Sequence, residues 1–207
     1  MEGAFQSDYE KRGRRWAGAV SVPALPEGAL ILETGCGNGK TLAALGPRAV
    51  GLDISPEAVW LACPAAAVCA DIRRMPFADD AFDVVFCRHV LGHLREADRE
   101  TAAAELFRVA KPGGVIYFVG FSRGDFRCGK GAEVEPFSFL RGDGIMTHYF
   151  SAEEVEGLFA GAEAKEERWT MRVRGEEYQR AEIRAEVHKN IRKPDEKKKV
   201  IPVCPKA

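Results

Sequence analysis

The segment ILETGCGNGK, residues 31–40, constrains the fold more than any other stretch of the chain. An apolar run reaches an acid, Glu33, and passes at once into Gly35-x-Gly37-x-Gly39 ahead of helix-forming residues. Backbone at such a junction must turn within a few residues and come close to a ligand, and glycine permits both. A second apolar run, residues 49–52, ends at Asp53, and GKTLAALG between the two reads as a short helix stopped by Gly46-Pro47. The unit is β-α-β, which demands parallel strands joined by a crossover helix.

The pattern repeats along the chain. Ser55 is placed to cap a helix with Pro56 at its first position, and residues 65–69 and 82–87 read as two more buried strands. Between Glu96 and Lys111, Ala103, Leu106, Phe107 and Ala110 recur at helical spacing on one face. Lys111-Pro112-Gly113-Gly114 then stops the helix, and residues 115–121 (VIYFVGF) form a fifth buried strand. Alternation of this kind predicts an α/β domain with a doubly wound, mostly parallel sheet covered by helices on both faces. Residues 122–149 show no period, and so long a connection in a compact domain is functional or mobile. Ser151 with Glu154 predicts a capping box opening a helix through Phe159. Two strand-like segments, 164–173 and 178–187, flank a turn at Arg174-Gly175.

A chain of 207 residues has room for one such domain, read as residues 1–188, with a basic and flexible tail over 189–207. No apolar run approaches the roughly 20 residues that span a bilayer, and MEGAFQSDYEKRGRRW lacks the apolar stretch of a secretory signal. A cytoplasmic protein with no membrane partner is expected. The six cysteines are scattered, and no two have the C-x2-C spacing of a zinc knuckle, so no metal site is expected. A net charge of −1 gives no general attraction for a polyanion. Two basic clusters depart from that average: Lys11, Arg12, Arg14 and Arg15 near the start, and Lys189, Arg192, Lys193 and Lys197 to Lys199 near the end. They read as solvated surface or as contacts for an anionic partner such as RNA.

A glycine-rich turn after a strand can serve NAD, FAD or S-adenosylmethionine. The dinucleotide fingerprint is G-x-G-x-x-G, whereas this loop reads G-x-G-x-G two residues after Glu33. In an open α/β sheet the ligand lies across the carboxyl ends of the strands, so residues ending successive strands converge on it. Asp53 is placed to accept from both ribose hydroxyls, and Asp71 in CADIRRMPF from the adenine amine, with Ile72 and Met75 as apolar surface near the ring. Arg88 and His89, at the end of the fourth strand, fall near the other half of the cofactor.

In their order and spacing, ETGCGNGK, GLDIS, CADIRRMPF, FDVVFCRHVLGHL and RVAKPGG resemble the class I S-adenosylmethionine-dependent methyltransferases, more narrowly their type 11 branch. That resemblance implies a seven-stranded Rossmann-like sheet with a C-terminal antiparallel hairpin. It also implies that S-adenosylmethionine is held by Arg12, Trp16, Glu33, Gly35, Cys36, Gly37, Asn38, Gly39, Asp53, Ile54, Asp71, Ile72, Arg88 and His89. Methyl transfer needs alignment more than a catalytic triad. A hydroxyl or amine acceptor benefits from a general base, and His89 and His93, four residues apart on what reads as one helical face, are the candidates. No Asn/Asp-Pro-Pro-aromatic tetrapeptide follows the fourth strand, which weakens adenine or glutamine N-methylation. GCGNGK, the short link to GLDIS, and Arg12 with Trp16 are similar to the tRNA wobble-uridine carboxymethyl methyltransferases, although FVGFSRGDF lacks the tryptophan expected there. A small-molecule acceptor is the leading expectation. The alternative is tRNA, with a small zinc-binding activator subunit as partner, and a nucleotide-binding oxidoreductase or a silent binding subunit are the remaining classes.

Overall fold

The computed structural model describes residues 2–13 and 20–190. In chain order the elements are α1 (Glu2–Arg12), β1 (Ile31–Thr34), α2 (Lys40–Leu45), β2 (Ala49–Asp53), α3 (Pro56–Ala62), β3 (Ala67–Cys69), β4 (Phe82–Arg88), a single 3-10 turn (Leu91–His93), α4 (Glu96–Val109) and β5 (Ala110–Phe121). There follow β6 (Ala132–Glu135), β7 (Ser138–Leu140), β8 (Met146–His148), α5 (Ala152–Leu158), β9 (Glu163–Val173) and β10 (Glu176–His188). Seven strands form one sheet in the order β3-β2-β1-β4-β5-β10-β9. Strands β1 to β5 pair in parallel, and β10 and β9 close the sheet antiparallel. Strand order reverses between β1 and β4, and that switch point opens a crevice at the carboxyl ends of the strands.

Side chains alternate between the two faces of the inner strands, and each face has its own core. Leu32, Val85, Cys87, Ile116 and Phe118 pack with Ala102, Leu106 and Val109 of α4 and with Val155 and Phe159 at the α5 end. Ile31, Val84 and Phe86 point the other way, onto Leu42 of α2 and onto Ala29 and Cys36. Full burial of each of the larger apolar side chains contributes about 1.5–3 kcal/mol. Ser55 caps α3 as its sequence indicates, its hydroxyl accepting from the Ala58 amide at 3.2 Å. Only half of the box at α5 forms. The Ser151 hydroxyl accepts from the Glu154 amide, while the Glu154 carboxylate turns to His148 at 2.8 Å and Arg123 at 3.2 Å.

Three elements differ from the sequence expectation. Helix α1 is polar on most sides, so it carries no apolar stripe that would announce it. Strand β5 begins at Ala110 rather than at residue 115, because Ala110 already pairs with Phe82 before the chain bulges through Pro112-Gly113 and pairs again at Val115. Residues 122–149 contain a three-stranded antiparallel sheet, β6-β7-β8. Its strands are three or four residues long, too short to display a period. It packs on the turn at 91–93 so closely that a Cβ on Gly92 would lie 3.1 Å from the His148 carbonyl oxygen.

Lys189, assigned by sequence to the tail, is fixed. Its ammonium lies 2.6 Å from Asp80 Oδ1 and donates to the Phe107 and Ala110 carbonyls at 2.6 Å each. Lys193, Lys197, Lys198, Lys199 and Arg192 of the C-terminal cluster, and Arg14, Arg15 and Trp16 near the start, lie outside the described residues, as does the side chain of Arg12. Among the described residues no helix is long and apolar enough to cross a membrane.

Candidate cofactor and acceptor site

A cleft of about 910 Å³ runs across the carboxyl ends of the parallel strands, the size range of a small-molecule site. One end is built by the glycine loop and the ends of β1 to β3. Gly35, Gly37 and Gly39 all have positive φ, at 62°, 53° and 74°. Their reasons differ. A Cβ on Gly35 would sit 2.4 Å from Val90 Cγ2, and one on Gly39 would sit 2.9 Å from Ala62 Cα. Both positions are glycine because protein packs against them, and Gly39 does not line the cleft. The Gly37 amide points inward and donates to Asp53 Oδ2 at 2.9 Å, while the Ser55 amide donates to Oδ1 at 3.0 Å. Asp53 is thereby held rigid and buried, and burial pushes its carboxyl above the ordinary range.

Glu33 is the most perturbed acid of the cleft. Burial pushes it up to about 7 although the Thr41 side chain and the Leu42 backbone donate to it. Its Oε2 is buried without a hydrogen-bond partner. Such an atom fits a cationic donor that the described residues do not supply. Asn38, Ile54 and Ile72 line the same end, and Arg88 faces Glu33 electrostatically. The carboxylate of Asp71 is engaged by the Arg73 guanidinium, at 2.9 Å and 3.0 Å from Nε, which holds it below the usual carboxylate range.

Cys36 and Met75 stand differently toward the cleft. Cys36 borders the cleft through its loop, but its thiol belongs to the core, where a Cβ on Gly51 would meet Sγ at 2.7 Å. Met75, expected near the cofactor ring, is buried in the α4-side core and is absent from the cleft lining. Cys36 therefore stays at the cleft through its backbone, whereas Met75 does not reach it.

His89 and His93 both line the cleft, although not from one helix. His89 follows β4 with a left-handed φ of 57°, and His93 ends the 3-10 turn. The positive φ of a non-glycine residue is a local strain of the kind found where a side chain is aimed for function. The His89 ring stacks on Phe121, with centroids 4.2 Å apart, and its Nε2 lies 3.2 Å from Glu182 Oε1. Glu182 arrives from β10, where it stands opposite Phe121 of β5. His93 Nδ1 lies 2.8 Å from the Met146 carbonyl, the ring meets Phe5 of α1 edge-on, and burial pushes its pKa down. The far end of the cleft adds Arg127, Arg141, Ile145, Thr147 and Arg180, and α1 adds Phe5 and Tyr9 over the opening. Sequence reasoning reached none of these, apart from marking residues 122–149 as functional or mobile. A Ser138–His148–Glu154 chain, with 2.8 Å at each link, has the look of a hydrolytic relay. Ser138 is fully buried and outside the cleft, so the chain joins β7, β8 and α5 and does no chemistry there.

Comparison with known proteins agrees with this geometry. The family described as a methyltransferase domain matches residues 32–118, which covers the glycine loop through β5. A S-adenosylmethionine-dependent methyltransferase of Methanosarcina mazei superposes with a TM-score of 0.66 at 25% identity, over 81% of this chain and 95% of that one. Residues 32–118 thus carry a methyltransferase domain, on the fold of the S-adenosylmethionine-dependent methyltransferases. Among curated relatives of this methyltransferase is the tRNA (carboxymethyluridine(34)-5-O)-methyltransferase of Arabidopsis thaliana, 37% identical over 47% of this chain and 25% of that protein. Another is the 2-methyl-6-phytyl-1,4-hydroquinone methyltransferase of Synechocystis, 30% identical over 58% and 40%. The chain thus spans between a quarter and two fifths of these two relatives. A Haloferax volcanii methyltransferase, solved in complex with the Trm112 methyltransferase activator, shares the fold with a TM-score of 0.59 at 22% identity, over 80% of this chain and 84% of that one.

Proposed function

We propose that this methyltransferase binds S-adenosylmethionine at the glycine-loop end of the cleft and methylates a small-molecule acceptor at the other end. The observation that carries the reading is the single roofed cleft. It joins the orphaned Glu33 Oε2 to the His89–Glu182 pair beneath α1 and the β6-β7-β8 sheet. Glu33 is suited to the α-ammonium of the cofactor, Asp53 to the ribose hydroxyls through the lone pairs that the Gly37 and Ser55 amides leave free, and Asp71 and Ile72 to the adenine. When bound, the cofactor, held by Glu33, Asp53, Asp71 and Ile72, would supply an electrophilic methyl on a positively charged sulfur. The chain's part is alignment, exclusion of water by Phe5 and Tyr9, and removal of the acceptor proton. His89 is the base of this reading, and Glu182 is its positioning residue, fixing the tautomer and stabilising the imidazolium. The roof favours a small molecule, because α1 and the small sheet leave little room for a nucleic-acid strand over the acceptor end.

A second reading, tRNA methylation with a zinc-binding activator, is favoured by one surface. Strand β3 is an open sheet edge, and beside it Trp60 is 71% exposed, with Cys63 and Cys69 also exposed. An unpaired edge with an exposed indole suits an added strand from a partner. Labelled S-adenosylmethionine offered with a metabolite extract and, separately, with bulk tRNA distinguishes the readings. Label in small molecules alone supports the first, and label confined to tRNA overturns it.

A further inference from the structure

The acceptor end of the cleft holds a charge arrangement that the proton-transfer pair does not use. Asp125 follows β5, and its side chain is wholly buried. Its Oδ1 accepts from Arg127 Nε at 2.7 Å and from the Arg127 amide at 3.0 Å, and its Oδ2 accepts from Arg180 Nε at 2.8 Å, Arg127 Nη2 at 3.1 Å and the Ala181 amide at 3.3 Å. One carboxylate therefore anchors two guanidinium groups, one from the connection after β5 and one from β10. So many donors hold its carboxyl down to about 2 against the effect of burial. Both guanidinium groups are mostly buried, 19% and 14% exposed, and both face the cleft.

Two cations on one anion leave one positive charge over, and among the described residues no second carboxylate lies within salt-bridge distance of either arginine. The remaining acids at this end are committed elsewhere. Glu182 serves His89 at 3.2 Å and Arg184 at 3.3 Å, and Asp143 accepts from the Ile145 amide at 3.1 Å in the turn it occupies. The arginines are also fixed sideways, Arg127 lying 3.9 Å over the Phe121 ring and Arg180 5.4 Å over Trp169. Arg127 Nη1 and Arg180 Nη2 donate to no acceptor among the described residues. An immobilised fork of unsatisfied guanidinium donors, with excess charge in a poorly solvated recess, is built to receive an oxyanion.

We propose that Arg127 and Arg180, locked by Asp125, form an anion subsite that selects an acceptor carrying a terminal carboxylate or phosphomonoester. The proposal rests on the methyltransferase reading, which places the acceptor in this half of the cleft. A terminal group is specified because the donors are recessed. An internal phosphodiester, substituted on both sides, would have to bring two chain segments into a space roofed by the β6-β7-β8 sheet. The anion held here is a handle for the acceptor, and the atom that takes the methyl is a separate part of the same molecule, nearer His89.

Isothermal titration of the full chain tests this with benzoate, phenyl phosphate and neutral benzamide as probes, each with and without saturating S-adenosylhomocysteine. At least one of the two anions is expected to bind about tenfold or more tighter than benzamide, and the better of the two separates carboxylate from phosphomonoester recognition. Arg180→Gln and Arg127→Gln are each expected to erase that preference while leaving S-adenosylhomocysteine affinity within about twofold. Arg127→Lys, which keeps the charge and the anchor on Asp125 but loses the fork, guards against a folding defect and is expected to retain part of the preference. Equal binding of anions and benzamide by the wild-type chain overturns the subsite, as does an anion preference that survives both glutamine variants. Displacement of benzoate by bulk tRNA would reassign the arginines to nucleic acid and equally overturn it. Loss of S-adenosylhomocysteine binding in the wild-type chain counts instead against the methyltransferase reading, since the probe comparison is also made in its absence.

Discussion

Lowering the pH from 8 to 6 is expected to weaken S-adenosylhomocysteine binding about tenfold, and Glu33 is the cause. Burial raises its pKa to about 7, and its Oε2 has no hydrogen-bond partner among the described residues. A protonated carboxyl cannot pair with an α-ammonium, so binding selects the ionised form. With a pKa of about 7, the ionised fraction falls from roughly 0.9 at pH 8 to roughly 0.1 at pH 6 and 0.01 at pH 5, and the association constant falls in proportion. Titration at pH 7 in two buffers of different ionisation enthalpy should show release of about half a proton per ligand bound. Glu33→Gln abolishes both the charge and its titration, so its affinity should be lower at pH 8 and flat to pH 6. The stability of the free protein carries the same signature. Because the folded pKa lies above the ordinary value of 4.5, the Glu33 contribution is fully present below 4.5 and is lost as pH rises through about 7, a total of about 3 kcal/mol. Buried His93, whose pKa is pushed down, acts with the opposite sign, adding stability as pH rises through its ordinary value of 6.5. The wild-type minus Glu33→Gln difference therefore isolates the carboxyl. A wild-type affinity that does not change over this range, or a slope retained in Glu33→Gln, would refute the reasoning.

Four further outcomes follow from particular contacts. Asp53→Ala leaves the Gly37 and Ser55 amides without their acceptor at 2.9 and 3.0 Å, so S-adenosylhomocysteine should bind roughly 10- to 150-fold more weakly by calorimetry, with a lower melting temperature. Gly35→Ala drives a Cβ to 2.4 Å from Val90 Cγ2 at a φ of 62°, and denaturant unfolding should register a loss of about 2–4 kcal/mol. Adding Val90→Ala should restore part of that loss but not the backbone part. Lys189→Met removes a 13%-exposed ammonium from Asp80 and two carbonyls, which should cost about 1.5–3 kcal/mol of stability in the same assay. Once an acceptor is in hand, Glu182→Gln should lower kcat more than it raises KM and should shift the pH profile, whereas a merely structural Glu182 would leave the profile in place.

The parallel core was legible in the sequence because its signals are local. Each inner strand is a short apolar run, each stop is a Gly, a Pro or an acid, and these reside within a few residues of the structure they specify. The acids that end β1 and β2 could be placed for the same reason: in a parallel sheet every strand delivers its last residue to the same edge. The partition of the hairpin was also written locally. Ala181, Ile183, Ala185 and Val187 alternate inward on β10, while EAKEERWTMRV of β9 is charged on both faces and suits an edge. Other features had no local expression. Helix α1 offers no apolar stripe, the strands of the small sheet are too short for a period, and Met75 looks like a site residue until packing buries it. His89 and Glu182 are 93 positions apart, and Asp125 meets Arg180 across 55. Those pairs exist only because β10 inserts beside β5, a register fixed by burial of its apolar face over the whole sheet. The glycine-loop end of the cleft is thus a property of the contiguous stretch from β1 to β3, and the end lined by Arg127, Arg180 and Glu182 is a property of the tertiary fold, since it is assembled from segments that only long-range strand pairing brings together.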